Sequence, residues 1–281
     1  FLKVYITFTK VSILSRLFSL YNKTNIMKRI LVGLVVCIFV VLCHAPHLIA
    51  KSKTKATVKK GQVFSAQALI IVNASKGKVL YSRNIHQRLA PASTVKILTA
   101  FVALEQLGTR EHVVISKKAA NIQPTKLWLS PGSVYNSFDL INAILISSAN
   151  DASVALAEAA AGTEEAFAKQ MNKKAKQLGA KNSHFTNASG LPDKNQYTTA
   201  YDLYRITRKV LSQSDINSIM RKRKERIKSL GGNEIALLNH NKLLSRKHYP
   251  TFLLKTGYTR SAKHCFAGKI YLNGSEYVFA F

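Results

Sequence analysis

Strand-forming segments lie at both ends of this 281-residue chain, and their placement strongly constrains the fold. Two β-rich runs near the start are separated by the turn-forming cluster Asn73-Ala74-Ser75-Lys76-Gly77. Three more runs close the chain, and Asn273-Gly274 is typical of a two-residue hairpin turn between the last two. Strands from both ends with helices between them predict an α/β (α+β) fold, with an antiparallel sheet from both chain ends and an inserted helical subdomain. The five predicted strands are residues 66–72, 78–81, 253–258, 265–272 and 277–281.

The middle of the chain shows the patterns of helices. Residues 93–107 carry apolar side chains on most faces, which predicts a helix buried in the core. Residues 139–146 and 151–161 predict two more helices, the second capped by Asp151. Thr163 is expected to cap a further helix, because two glutamates follow it and an apolar face comes after them.

The N-terminal region has the pattern of an export signal. Met27-Lys28-Arg29 precedes an uncharged apolar run, residues 30–43, which is shorter than the ~20 residues of a membrane-spanning helix. An uncleaved membrane anchor is the alternative to a signal peptide. We also expect the C-terminus to be truncated, because one face of the sheet would otherwise lack a covering element. The predicted divisions are an upstream non-native segment at 1–26, a signal peptide at 27–50, a linker at 51–62 and a catalytic domain at 63–281.

The chain is strongly basic, with 42 Lys+Arg against 13 Asp+Glu and a net charge of +29. Such a charge attracts nucleic acid, an anionic membrane surface or an anionic wall polymer. Because export makes nucleic acid an unsuitable partner, the charge favours an anionic envelope, although a generally basic proteome explains it equally well. We therefore expect the protein in the periplasm or at the outer face of the cytoplasmic membrane.

The cysteines and histidines limit the disulfide and metal chemistry that the sequence can support. Cys37 and Cys43 fall in the predicted leader, which leaves Cys265 alone in the mature chain. No intrachain disulfide can form there, and Cys265 is expected to be a core thiol. The histidines show no metal-ligand spacing, so no metal and no cofactor are predicted.

Three short motifs occur in one order: Ser93-Thr94-Val95-Lys96, Ser148-Ala149-Asn150 and Lys255-Thr256-Gly257. Together they supply what serine acyl transfer without histidine needs: a nucleophile, two lysines, and hydroxyl and amide groups. Each motif alone is weak, since Ser75-Lys76-Gly77-Lys78 and Ser82-Arg83-Asn84 match the first two by chance. Their order and spacing carry the prediction.

The first motif needs a neutral lysine. Ser93 and Lys96 are three residues apart on the predicted helix and share a face, so Lys96 can take the serine proton. Burial and a second cation, for which Lys255 is the candidate, would each lower the pKa of Lys96. Gly257 is expected to let a ligand backbone approach the strand edge closely.

These motifs resemble those of the serine-type D-alanyl-D-alanine carboxypeptidases, the low-molecular-mass penicillin-binding proteins. The resemblance runs from about Ala66 to the end of the chain. Three supporting stretches occur in family order: Phe185-Thr186-Asn187-Ala188-Ser189-Gly190-Leu191, Thr198-Thr199-Ala200-Tyr201-Asp202-Leu203 and Asn239-His240-Asn241-Lys242-Leu243-Leu244. It implies a β-lactamase/transpeptidase-like fold with the site between the sheet and the helical subdomain.

The resemblance also implies roles. Ser93 would attack the bond between the two terminal D-alanines of a peptidoglycan stem peptide, with Lys96 as base and Ser148 relaying a proton. β-Lactams would acylate the same serine and act as inhibitors. The remaining residues would bind substrate. Asn150 would hold the substrate amide, and Lys255 and Thr256 would bind the terminal carboxylate. Gly257 and Tyr258 would line the strand, and the backbone N–H groups of Tyr258 and Ser93 would form the oxyanion hole.

Other functions stay open. A D,D-endopeptidase shares all three motifs. A serine β-lactamase of class A would carry a glutamate after the second motif, but residues 180–200 contain only Asp193 as a carboxylate. A non-catalytic penicillin-binding sensor would keep the fold without turnover.

The sequence departs from the family pattern at three places. Gln196 replaces a histidine and is expected to keep its hydrogen bond, Lys263 replaces a glycine, and Phe252-Leu253-Leu254 replaces a glycine-containing stretch. Elsewhere, we expect Trp128 to be packed and residues 221–226 to form a solvated basic surface.

Overall fold

Five antiparallel strands from the two ends of the chain form one sheet in the computed structural model, which describes residues 65–245 and 252–281. Its strands are β1 (Leu69–Asn73), β2 (Lys78–Arg83), β7 (Phe252–Thr259), β8 (Lys263–Leu272) and β9 (Ser275–Ala280). Their order in the sheet is β2-β1-β9-β8-β7, so β1 lies beside β9. Ile70 shows this directly, because it pairs with Ser82 on one side and with Ala280 on the other. The predicted sheet is confirmed.

The Asn273-Gly274 turn joins β8 to β9. Both residues have positive φ, 48° and 70°, as a two-residue hairpin of this type requires. Asparagine and glycine tolerate this conformation better than other residues, which is why the turn could be predicted.

Helices fill the middle of the chain, as predicted. The sequence patterns did not single out the two helices after residue 199 or two small β-hairpins. The helices are a 3₁₀ turn (Ala92–Val95), α1 (Lys96–Leu107), α2 (Lys117–Ala120), α3 (Ser137–Ile146), α4 (Asn150–Ala161), α5 (Glu164–Gln177), α6 (Ala200–Val210), α7 (Ser214–Arg221) and a second 3₁₀ turn (Lys242–Ser245). The hairpin strands are β3 (His112–Val114), β4 (Val134–Asn136), β5 (Lys224–Lys228) and β6 (Glu234–Leu238).

Two predicted helix starts are wrong in detail. Ser93 lies on the 3₁₀ turn, and α1 begins at Lys96. Asp151 is not the cap of α4, because Ala149 holds that position and the Asp151 carboxylate accepts hydrogen bonds from a neighbouring loop. The Thr163 cap is confirmed, with its Oγ1 accepting from the Ala166 N–H at 3.1 Å.

Helix α1 lies at the centre of the fold. All its residues from Lys96 to Ala103 are buried, which confirms the core helix expected from the sequence. It packs against α3, α4, α5 and α6, and α6 in turn packs on β1, β8 and β9. The start of α1 therefore lies between the helical subdomain and the sheet.

The predicted leader and linker lie outside the described residues. Within residues 65–245 and 252–281, no helix has the length and apolar character needed to cross a bilayer. Residues 221–226 span the end of α7 and the start of β5, and their side chains are exposed or half-buried, as expected for a solvated basic surface.

Candidate active site

The three sequence motifs meet at the start of α1. The 3₁₀ turn carries Ser93, the loop before α4 carries Ser148, and β7 carries Lys255. Side-chain hydrogen bonds connect Ser93 and Asn150 through Lys96, and a separate one joins Ser148 to Lys255. Residues separated by more than 150 positions in the chain thus form one cluster.

Lys96 is fully buried and contacts three oxygens. Its Nζ donates to Ser93 Oγ at 3.1 Å, to Asn150 Oδ1 at 2.7 Å and to the backbone carbonyl of Ser189. Burial lowers the pKa of Lys96 well below its ordinary value, and the charge of Lys255 lowers it further. Both causes expected from the sequence are therefore present.

Lys255 is the second buried lysine, with 1% of its surface exposed. Its Nζ donates to Ser148 Oγ at 2.9 Å and to the carbonyl of Thr256 at 2.9 Å. Burial lowers the pKa of Lys255 to about 7. An anionic ligand group beside it would restore its charge, because an opposite charge favours the protonated amine.

Ser148 has a strained backbone. Its φ is 60°, in the left-handed region that non-glycine residues seldom adopt. The flanking residues hold it there: the Ala149 N–H donates to Ala143 O, and the Ser147 hydroxyl bonds both the N–H and the carbonyl of Leu238 on β6. This conformation directs the hydroxyl of Ser148 to Lys255.

Gly257 fits closely against the 3₁₀ turn. A Cβ on this residue would lie 2.7 Å from the Ser93 nitrogen and 3.0 Å from Ala92 Cβ. The sequence suggested that the glycine makes room for a ligand, but the room is filled by the backbone of Ser93. Gly257 therefore allows β7 to approach the serine.

Gly190 makes a second close approach. Its φ is 84°, and a Cβ there would lie 2.0 Å from the carbonyl oxygen of Ala92. The 3₁₀ turn that carries Ser93 is thus enclosed between two glycines, one on β7 and one on the loop after residue 185.

Replacing Gly190 with alanine is expected to destabilise the protein by about 3 kcal/mol and to slow acylation of Ser93 at least ~10-fold. The added methyl group must push the Ala92 carbonyl and with it the serine. Gly77→Ala is the matched control, since Gly77 has a φ of 64° but no atom within 4 Å of its Cβ position. It should lose only about 1–2 kcal/mol, the cost of the left-handed backbone. Thermal unfolding and penicillin-labelling rates test this, and equal behaviour of the two variants would contradict it.

Thr256 and Tyr258 extend the site along β7. The side chain of Thr256 is half-buried beside Lys255, whereas Tyr258 is 53% exposed and its ring lies 4.8 Å from that of His264. Because side chains alternate along a strand, the Tyr258 side chain lies on the opposite face of β7 from Gly257, the residue that packs against the Ser93 backbone. Within residues 65–245 and 252–281, β7 is an edge strand of the sheet and pairs with β8 alone.

A loop that the sequence patterns did not assign to the site positions Asn150. The Asn150 N–H donates to Thr125 O at 2.7 Å, and its side-chain amide donates to Gln123 O at 2.8 Å. Both Leu127 and Leu129 donate their N–H groups to Asp151 Oδ2. The loop therefore lies against the second motif.

Trp128, between those two leucines, is not packed. It is 72% exposed with a φ of 62°, and Lys126 Nζ lies 4.3 Å from the ring centroid. The expectation of a packed tryptophan was wrong, because the two flanking N–H groups fix the loop and turn this side chain outward.

Of the three departures from the family pattern, Gln196 keeps a hydrogen-bonding role as expected. It accepts from the Thr186 and Asn187 N–H groups and donates to Leu191 O, so it holds the loop whose Ser189 carbonyl contacts Lys96. Lys263, the first residue of β8, has a φ of 59°. The glycine that Lys263 replaces would adopt this left-handed conformation without steric cost.

Two further observations concern the thiol and metal chemistry of the protein. Cys265 is buried, and burial raises its thiol pKa to about 11, in keeping with the core thiol expected. In the part of the chain that the structure describes, no group of three or more His, Cys, Asp or Glu residues is arranged to hold a metal ion.

Comparison with known proteins agrees with this geometry. Residues 53–278 match the D-alanyl-D-alanine carboxypeptidase family. The chain is 36% identical over 245 residues to the D-alanyl-D-alanine carboxypeptidase DacF of Bacillus subtilis, covering 85% of this chain and 62% of that protein. It is 29% identical to a D-alanyl-D-alanine endopeptidase of Pseudomonas aeruginosa, covering 85% of this chain and 78% of that protein.

The fold is also found among solved structures. A D-alanyl-D-alanine carboxypeptidase from Mycobacterium tuberculosis superposes with a TM-score of 0.72 at 32% identity, covering 77% of this chain and 81% of that one. This likeness confirms the predicted fold class. The chain belongs to the D-alanyl-D-alanine carboxypeptidase family of peptidases.

Proposed function

We propose that the protein is a serine carboxypeptidase that removes the terminal D-alanine from peptidoglycan stem pentapeptides through an acyl-enzyme on Ser93. The observation that carries this proposal is the hydrogen bond of 3.1 Å between Lys96 Nζ and Ser93 Oγ, in which the lysine is fully buried. A serine hydroxyl is a weak nucleophile and needs a base within hydrogen-bonding reach. Lys96 Nζ lies within that reach, and burial together with the charge of Lys255 lowers its pKa, which favours the neutral amine that a base requires.

In the acylation step, Ser93 Oγ attacks the carbonyl carbon of the penultimate D-alanine and its proton passes to Lys96. The negative charge on the carbonyl oxygen would be stabilised by the N–H groups of Ser93 and Tyr258. Gly257 supports this role, because the absence of a side chain lets β7 lie against Ser93.

The leaving amine needs a proton as the carbon–nitrogen bond breaks. Ser148 is suited to relay it, since its hydroxyl accepts a hydrogen bond from Lys255 at 2.9 Å and can donate to the departing nitrogen. The free D-alanine then leaves, and water hydrolyses the ester to release the shortened peptide and regenerate Ser93.

Substrate binding follows from the same residues. The edge of β7 that no other described strand covers can pair with an extended peptide, as edge strands do in other peptide complexes. Lys255 and Thr256 would hold the terminal carboxylate, and the side-chain amide of Asn150 the peptide amide. β-Lactams resemble the D-Ala-D-Ala end and would acylate Ser93.

Such a substrate lies outside the cytoplasmic membrane, which agrees with the signal peptide predicted at residues 27–50. An anionic envelope also suits the net charge of +29. We therefore propose an exported enzyme in the periplasm or at the outer face of the cytoplasmic membrane.

The test is D-alanine release from a stem pentapeptide by the purified protein, followed together with covalent labelling by a fluorescent penicillin. We expect one D-alanine per peptide and one label per protein, with the label lost slowly. An endopeptidase, for which the Pseudomonas relative is a precedent, would instead cleave a cross-linked dimer and leave the pentapeptide intact. Rapid loss of the label would indicate a β-lactamase, and labelling without cleavage of either peptide a sensor. Each of these three results would overturn the proposal.

A further inference from the structure

Glu164, at the start of α5, is a buried carboxylate with no part in the proposed reaction. A glutamate in the first turn of a helix commonly faces solvent, yet only 8% of Glu164 is exposed. Its Oε1 accepts a hydrogen bond from the N–H of Ala188 at 3.0 Å. The side chain is thus directed inward at a loop.

That loop leads directly to the base. Ala188 is followed by Ser189, whose carbonyl accepts a hydrogen bond from Lys96 Nζ. The carbonyl of Ala188 accepts from Thr99 Oγ1 at 2.7 Å, one turn after Lys96 on α1. The Ala188–Ser189 segment is therefore held on one side by α5 and on the other by α1.

The charge of Glu164 is only weakly compensated. Among the described residues, its ion-pair partner is Lys118 on α2, at 3.9 Å, and that half-exposed lysine is closer to Glu165, at 3.3 Å. Glu158 on α4 and Glu165 are its acidic neighbours. Burial raises the pKa of Glu164 above its ordinary value, as a poorly compensated carboxylate should show.

Lys96 is acted on by charges of both signs from the elements around it. Lys255 on β7 lowers its pKa, whereas Asp151 on α4 and Glu164 on α5 raise it. His240 is a further titratable group close to both lysines, and its own pKa is lowered by burial and then by their charges. Asp151 has the larger effect of the two carboxylates on the pKa of Lys96, and burial raises its own pKa too. Asp151 accepts three backbone N–H groups, whereas Glu164 accepts one, from the segment that contacts Lys96.

We propose that Glu164 is a positioning residue, which holds the Ala188–Ser189 segment against Lys96. Its negative charge also favours the protonated form of Lys96. This inference rests on the proposed function, in which Lys96 accepts the proton of Ser93. Glu164 touches neither substrate nor Ser93, and acts only through the lysine.

The two parts of the role can be separated by substitution. Glu164→Gln removes the charge but keeps a side-chain oxygen that can accept from Ala188. Glu164→Asp keeps the charge on a side chain too short to reach that N–H group. The matched control is Glu165→Gln, which removes an adjacent carboxylate that bonds the same Lys118 but is 72% exposed.

The measurement is the acylation rate constant as a function of pH, recorded with two β-lactams of different ring type. The rate should rise with pH as Lys96 loses its proton. In Glu164→Gln the loss of a negative charge makes the protonated lysine less stable, so the rising limb should move to lower pH by about 0.5 unit or more. In Lys255→Gln the loss of a positive charge should move the rising limb to higher pH. A shift in that direction would show that the limb follows the loss of the proton from Lys96. Glu165→Gln should match the unchanged protein.

The positional part is read from the plateau rate at high pH. Glu164→Asp should lower the plateau at least ~10-fold, because a displaced carbonyl of Ser189 no longer orients the amine, while Glu164→Gln should keep it within about 3-fold. Thermal unfolding checks that each variant is folded.

An unshifted limb in Glu164→Gln, with Lys255→Gln shifted, would overturn the electrostatic role. An unchanged plateau in Glu164→Asp would overturn the positional role, and it does so even if Glu164→Gln does not fold. Failure of the proposed function would look different: the unchanged protein itself would not be acylated, or its acylation would lack a limb that responds to Lys255.

Discussion

Replacing Ser93 with alanine is expected to abolish covalent labelling by penicillin and the release of D-alanine. No other described hydroxyl is bonded to Lys96 Nζ, so no second nucleophile is available to that base. Labelling should fall below detection, as mass spectrometry of the intact protein can establish. The fold should remain, because the change removes a single oxygen atom.

The chain offers a matched control for this prediction. Ser75 and Lys78 have the same spacing as Ser93 and Lys96, but they lie at the exposed β1–β2 turn. The Ser75 hydroxyl accepts from the Glu276 N–H at 2.9 Å, which is a structural contact. Ser75→Ala should therefore label normally. Persistent labelling of Ser93→Ala would refute the assignment of the nucleophile.

Replacing Lys96 with arginine is expected to slow acylation at least ~10³-fold while the protein stays folded. A guanidinium stays protonated at any pH that proteins experience and cannot accept the proton of Ser93. Its planar group also differs in shape from the ammonium that bonds Ser93, Asn150 and the Ser189 carbonyl. Raising the pH should not restore the rate, which separates a lost base from a shifted one.

Lys78→Arg is the control for this second prediction. Lys78 is exposed on β2, where either cation can be solvated, so its replacement should leave the acylation rate unchanged within about 2-fold. Acylation rate constants over a range of pH provide the measurement. A rate in Lys96→Arg within 10-fold of the unchanged protein would show that another group takes the proton.

The large features of the fold could be predicted because they follow from local patterns. The β8–β9 turn needs two residues at positive φ, and Asn273-Gly274 supplies them. The Thr163 cap was likewise visible, since a threonine hydroxyl satisfies a free N–H at a helix start. Asp151 was mistaken for a cap because its residue type fits that position equally well. Its carboxylate is instead used by two N–H groups more than 20 positions earlier, a contact that no local pattern reveals.

The same distinction applies to the site. Side chains with unusual chemistry, the two lysines and two serines of the motifs, could be recognised from residue type and order. The carbonyl of Ser189 could not, because every residue carries one and only the fold decides which of them meets Lys96. Glu164 resembled an ordinary first-turn acid, and Trp128 an ordinary core residue, until their surroundings were known.

The sequence by itself determined the family resemblance, the antiparallel sheet from both chain ends and the residues that can act as nucleophile and base. The tertiary structure alone decided the pKa of the base. The pKa of Lys96 is lowered because the first eight residues of α1, Lys96 to Ala103, are buried and because β7 brings Lys255 beside it. The physical reason is that a pKa depends on solvent exclusion and on nearby charges, which are properties of the assembled fold and of no single segment.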